Sequence, residues 1–227
     1  MVTYQLDVQW LQPAMAGLVI GNDDPKFFSA GADLAEMGEF LADPAQLAAS
    51  NALVKDTQLA LEGLGCMTIA AIEGACVGGG CGLALACDFR LAQADARFAI
   101  TPARLGLLYS QEDVRRVVGL VGAARARELL LTARQVDAAT ALGWGMLTEV
   151  CAAGELEGRL AAWRTLAAGV SPYSVAGIKR TLGMLGGAEL LDAGALRDLF
   201  DGAFTHADFR EGAAAFLEKR APRFQAG

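Results

Sequence analysis

The chain has 227 residues, 54% of them hydrophobic and 20% charged, with a net charge of −7 at neutral pH. That length supports one substantial core and at most two modules. The acidic balance argues against nucleic acid or an anionic membrane as the main partner.

No apolar run reaches the roughly 18 residues that a bilayer-spanning helix needs, and the opening MVTYQLDVQW does not read as a signal peptide. Five cysteines, Cys66, Cys76, Cys81, Cys87 and Cys151, sit mostly in apolar context without disulfide-framework spacing. They read as reduced, buried thiols of a cytoplasmic protein. Cys76 and Cys81 lack zinc-site spacing and a neighbouring histidine. His206 is the only histidine, so neither a His-based triad nor a metal centre is expected.

In chain order, residues 3–12 carry a mild helical pattern, and Ala16–Ile20 reads as a short buried strand. Gly21–Lys26 is a turn. Phe27–Met37 (FFSAGADLAEM) reads as a strand, then small residues, then a helix start. Asp43–Leu64 is an amphipathic helix with Leu47, Val54, Leu61 and Leu64 among its apolar positions. Met67–Ile72 is a buried strand. It leads through Glu73-Gly74 to Gly78-Gly79-Gly80 and Gly82, after which Leu83–Cys87 suits a packed helix.

Arg90–Ala99 reads as a single returning strand, and Ile100–Tyr109 as a loop and short strand fixed by Pro102. Glu112–Val121, Ala123–Leu131 and Asp137–Leu142 are short helices, with stops at Gly122 and Gly143. Met146–Val150 is a strand. Thereafter helices are expected over Glu155–Ala168, Pro172–Leu185, Ala188–Phe204 and Phe209–Arg220. Strands alternating with helices, followed by helices alone, predict an α/β core over 1–150 and a helical region over 151–227.

The glycine stretch carries the first functional signal. A strand ending in three glycines before a helix leaves backbone N–H groups free, with the helix dipole behind them. That arrangement suits a developing oxyanion. A P-loop would need Gly-Lys-Ser/Thr where Gly82-Leu83 stands, and no register fits G-x-G-x-x-G. Tight helix–strand packing accounts for one or two of these glycines.

Three segments together resemble the crotonase, or enoyl-CoA hydratase/isomerase, superfamily. They are Phe28–Asp33 (FSAGAD), Ile72-Glu73-Gly74 with Gly78-Gly79-Gly80-Cys81 and Cys87-Asp88, and Asp208–Gly212 with Phe216–Arg220. The resemblance runs from about residue 14 to 224. It implies a crotonase-like ββα spiral core with a C-terminal helical trimerisation region. Two initial strands and a helix of the family pattern are expected to be missing from the start of the chain. It also implies an acyl-CoA ligand, no cofactor beyond the coenzyme A of the substrate, and a homotrimer or homohexamer.

The family's oxyanion-hole amides fall on Ala32 and Gly79. CoA contacts fall on Ala30, Asp33, Leu34, Phe200 and Lys219, although Asp33 also reads as a helix cap, Phe200 as core and Lys219 as solvated surface. The two glutamates of hydratases correspond to Gly82 and Pro102, neither of which can move a proton. The segment Thr101–Tyr109 resembles that of methylmalonyl-CoA decarboxylases and offers Tyr109 as a hydrogen-bond donor. Glu112 or Asp113 offers a carboxylate, and both also suit plain charge stabilisation of a helix N-terminus. The expected function is thioester-enolate chemistry of the isomerase or decarboxylase kind, with a catalytically silent acyl-CoA-binding or assembly subunit as the alternative.

Overall fold

A computed structural model describes residues 7–11, 17–22, 24, 26–31 and 43–224. Three times the chain runs through a strand of one sheet, crosses to a strand of a second sheet, and then enters a helix. The first passage is β2 (Gly17–Gly21) and β3 (Phe27–Ser29), followed further along by α1 (Pro44–Glu62). The second is β4 (Met67–Ile72), β5 (Ala75–Val77) and α2 (Gly79–Ala86). The third is β6 (Phe89–Gln93) and β7 (Arg97–Ala99), a 3-10 turn over Pro102–Leu105, and α3 (Gln111–Thr132).

The first sheet has the order β1-β2-β4-β6-β9, with β1 at Asp7–Leu11 and β9 at Glu149–Cys151. The second is β3-β5-β7-β8, with β8 at Val136–Asp137. Strands β2, β4, β6 and β9 are parallel, as are β3, β5 and β7. Side chains of a strand alternate between faces, and both faces of the first sheet are covered. Val19, Ile69, Ala71 and Leu91 meet Leu156 and Leu160 of α5 (Leu156–Ala168). Leu18, Ile20, Ala70, Ile72 and Ala92 join the larger core around α2. This double burial explains why β4 reads as an unbroken apolar run.

After α4 (Ala138–Gly143) and β9, all described elements are helical: α5, α6 (Pro172–Leu185), α7 (Ala193–Ala203) and α8 (Ala207–Glu218). Caps set the helix starts. Asp43 accepts from the Ala45 and Gln46 amides ahead of α1, Ser171 accepts from Ser174 N, and Pro44 and Pro172 occupy first turns. Lys179 docks α6 on the first sheet. Its Nζ donates to Asp88 Oδ2 at 2.6 Å and to the Cys66 carbonyl at 2.8 Å. Asp88 in turn accepts from the amide and hydroxyl of Thr68. Arg90 is buried, and its guanidinium donates to the carbonyls of Met146, Ala84, Cys87 and Asp88 around the end of α2.

The structure corrects the sequence reading in several places; among them, a 3-10 turn replaces the short strand expected within Ile100–Tyr109, and the helix expected from Ala188 begins at Ala193. Of residues 3–12, which carry the helical pattern, the described Asp7–Leu11 form β1, which pairs antiparallel with β2 from Asp7↔Gly21 to Leu11↔Gly17. The free edge of β2 overrides a weak local preference there. A further strand, β5, lies between Glu73-Gly74 and the glycines. The Arg90–Ala99 strand is two strands in different sheets, turned by a bond from Ala96 N to the Gln93 carbonyl at 3.0 Å. The helices on either side of Gly122 form one segment broken at that residue, where φ is 72° and ψ is 163°.

Candidate active site

Parallel pairing aligns the ends of β3, β5 and β7. Ser29 is registered with Cys76, and Val77 with Ala99. The loops leaving these strands therefore start side by side, at the carboxyl edge of a parallel sheet where α/β ligand sites form. They are Ala30-Gly31, Gly78 ahead of α2, and Ile100-Thr101 ahead of the 3-10 turn.

Gly78 turns the chain with φ 56°, a conformation that side chains disfavour. Its N–H is tied to the Ala99 carbonyl at 2.9 Å. Its carbonyl accepts from Tyr109 Oη at 3.2 Å. Gly79 then begins α2, and no side chain caps that helix. The turn thus anchors the Gly78 peptide at the start of α2. Gly31, with φ +91°, comes against it: a Cβ built on Gly31 would lie 3.3 Å from Gly79 N and 3.1 Å from the Val77 carbonyl. The strand end before Ala32 therefore abuts the amide of Gly79. Ala32, Asp33 and Leu34 themselves lie outside the described residues.

Further along α2 stands Gly82, the position where the family resemblance leads one to expect a glutamate. The space is filled from other helices. A Cβ on Gly82 would clash with Gln58 Nε2 of α1 and lie 3.0 Å from Asp113 Oδ1 and 3.3 Å from Tyr109 Oη. Asp113 is 5% exposed and Gln58 2%. Burial pushes the Asp113 carboxyl above its ordinary range. A hydrogen bond from Ser110 and the charge of Arg116 pull against that rise. Ser110 Oγ donates to Asp113 Oδ2 at 2.8 Å, and Arg116 Nη1 donates to Oδ1 at 3.1 Å.

Tyr109 is thus brought into the site beside Gly82. Glu112, one position before Asp113, is half-buried in the first turn of α3, and Asp113 is the carboxylate that reaches Gly82. Pro102 lies in the 3-10 turn just after Thr101, whose hydroxyl would be 3.5 Å from a Cβ on Gly78. Ala30 is exposed beside the turn, whereas Phe200 and Lys219 are exposed on the helical tail. Gln58 and Arg116 were not singled out from sequence. The missing side chain at Gly82 was the available signal, because a buried glycine on a helix face must be packed by something else.

Among the described residues no group of three or more His, Cys, Asp or Glu could hold a metal ion, and no helix is long and apolar enough to cross a membrane.

Comparison with known proteins agrees with this architecture. The family model described as "Enoyl-CoA hydratase/isomerase" matches residues 11–227. The crotonyl-CoA hydratase of Syntrophomonas wolfei is 34% identical over 217 residues, covering 93% of this chain and 81% of that protein. The mitochondrial Delta(3,5)-Delta(2,4)-dienoyl-CoA isomerase of Dictyostelium discoideum is 35% identical over 162 residues, 70% of this chain and 55% of that one. The crystal structure of an enoyl-CoA hydratase/isomerase family protein from Hyphomonas neptunium superimposes with a TM-score of 0.89 at 28% identity, covering 98% of each chain. With its ββα spiral and its glycine turn at the edge of the second sheet, the chain belongs to the enoyl-CoA hydratase/isomerase family of the crotonase superfamily.

Proposed function

We propose that this protein moves a proton at the α-carbon of an acyl-CoA thioester, with Asp113 as its single acid–base group, in isomerase-like chemistry. The carrying observation is the buried Asp113 carboxylate, 3.0 Å from the place where a side chain on Gly82 would begin. The thioester oxygen takes its negative charge against the main-chain amides of Gly79 and Ala32. Tyr109 supports this by holding the Gly78 carbonyl, which fixes the peptide that carries the Gly79 amide. Ala30, Asp33 and Leu34 line the CoA approach, and Phe200 and Lys219 contact CoA in the assembled protein.

A 1,3-shift of a double bond needs one carboxyl group that accepts a proton at one carbon and returns it at another. Hydration by the hydratase pair needs two, and Gly82 and Pro102 supply neither. Decarboxylation would set a substrate carboxylate beside the Asp113 carboxylate, and like charges in a buried site repel strongly.

Rates on 3-hexenoyl-CoA, crotonyl-CoA and methylmalonyl-CoA test this reading. Isomerisation of 3-hexenoyl-CoA is expected to dominate, with Asp113→Asn lowering kcat about 10²–10⁴-fold. Ordinary hydratase rates on crotonyl-CoA, or an Asp113→Asn variant of full activity, would overturn it. Absence of turnover on all three esters would favour a silent acyl-CoA-binding subunit.

The helical tail supports assembly as a homotrimer or a dimer of trimers. Leu190, Leu191, Phe200, Phe204, Phe216 and Leu217 are all exposed there, and patches of this kind mark interfaces.

A further inference from the structure

Asp113 does not stand alone. Arg116, one helical turn further along α3, is 5% exposed and divides its donors among three acceptors. Nη1 bridges Asp113 Oδ1 at 3.1 Å and Gln58 Oε1 at 3.0 Å. Nη2 and Nε reach Glu62 Oε2 at 2.8 and 3.2 Å. Glu62 also accepts from Arg115 at 2.6 and 2.8 Å. Burial would raise the Glu62 carboxyl, but the hydrogen bonds and charges of Arg115 and Arg116 hold it below its ordinary range. Two helices are thereby joined through one guanidinium, and the reacting carboxylate lies at its inner end.

We infer that Arg116 is the positioning residue for Asp113: it fixes the carboxylate over Gly82 and keeps it ionised, while Glu62 at its outer end limits the strength of that hold. The inference rests on the reading of Asp113 as the acid–base group. Arg116 can only donate, so it turns the oxygen of the Gln58 amide toward itself and leaves Nε2 toward Gly82. The other groups near Asp113 are Ser110 and Tyr109 from the preceding loop, Glu112 on its own helix and Gln58 from α1, with Glu62 beyond Arg116. The first turn of α2 is Gly-Gly-Cys-Gly and brings no charge. Arg116 is therefore the one cation in hydrogen-bond contact with Asp113 among the described residues, and Glu62 the anion that opposes it.

This opposition gives two variants of opposite sign. Arg116→Gln removes the cation, so the Asp113 pKa should rise by about 1–3 pH units. Glu62→Gln leaves the cation less compensated, so the same pKa should fall. The direct measurement is a carboxyl-carbon NMR titration of protein labelled at its aspartates, with the Asp113 signal identified by its loss in Asp113→Asn. It needs no turnover, so it stands even if the isomerase reading fails. The acid limb of kcat on 3-hexenoyl-CoA should move in the same two directions with KM nearly unchanged, and Arg116→Lys should restore most of the wild-type position. A purely structural clamp would lower the active fraction equally at every pH. Shifts of the same sign in the two variants, or no shift in either, would overturn the inference. Should Arg116→Gln fail to fold, a rise or no change in Glu62→Gln alone would overturn it.

Discussion

Gly31 and Gly79 touch across two turns that are 48 residues apart in sequence: a side chain on the first would press within 3.3 Å of the amide nitrogen of the second. Gly31→Ala must therefore push the Gly79 amide aside, and it must also hold an alanine at φ +91°, a conformation that costs on the order of 1–3 kcal/mol. Loss of kcat well beyond the loss of folded protein is expected. Enzyme assays normalised to folded fraction by circular dichroism would check it, and a fully active, stable Gly31→Ala would show that the turns can separate harmlessly.

Gly82→Glu places a carboxylate where the family resemblance leads one to expect a hydratase glutamate, yet it should not create a hydratase. The new Cβ would clash with the Gln58 amide and crowd Asp113 at 3.0 Å. Overpacking costs typically about 1–3 kcal/mol, and a second buried anion beside Asp113 adds to that. Urea denaturation should show a lower midpoint, with crotonyl-CoA hydration still near background.

Stability should carry the signature of Asp113. Its carboxyl titrates above the ordinary value in the folded protein because of burial. Between the two values the native state binds more protons than the unfolded chain, so this group's contribution is full below the ordinary value and is lost as pH rises through the raised one. As pH rises from the ordinary carboxyl value through the raised one, the wild type should lose stability relative to Asp113→Asn. Urea midpoints of both proteins across that range give the comparison, and a constant difference would rule out the effect.

The tail predicts the assembly state. Leu190 is 92% exposed, Phe216 83% and Leu217 79%, and α7 has no buried residue at all. Sedimentation velocity at micromolar concentration should give a species of three or six chains. A monomer would mean that these side chains face water in solution.

How much of this was legible in sequence depended on the length of the signal. Pro172–Leu185 could be read to the residue, because Ser171 and Pro172 open it and Gly186 follows it. Strands of three residues such as β5 and β7 leave too little periodicity to detect, so the crossing between sheets at Glu73-Gly74 was invisible. The glycine turn was plain because three consecutive glycines before an apolar helix have few other uses. Gln58, Glu62 and Arg116 were hidden for the opposite reason. Polar side chains on a helix normally face water, and only tertiary packing shows that these meet behind Gly82. The same packing separates Asp113 from Glu112, whose charges look equivalent on paper.

Arg90 bears on how the protein breathes. Its guanidinium ties the end of α2 to the carbonyls of Met146, Ala84, Cys87 and Asp88, and every residue of that helix from Gly80 to Ala86 is buried. Such a segment cannot open by local fraying, so its amide hydrogens should exchange with deuterium only when the whole molecule unfolds. The glycine turn at Gly78 thus leads directly into a segment expected to exchange among the slowest in the protein. Any motion that admits or releases a ligand must then be carried by the segments that flank α2.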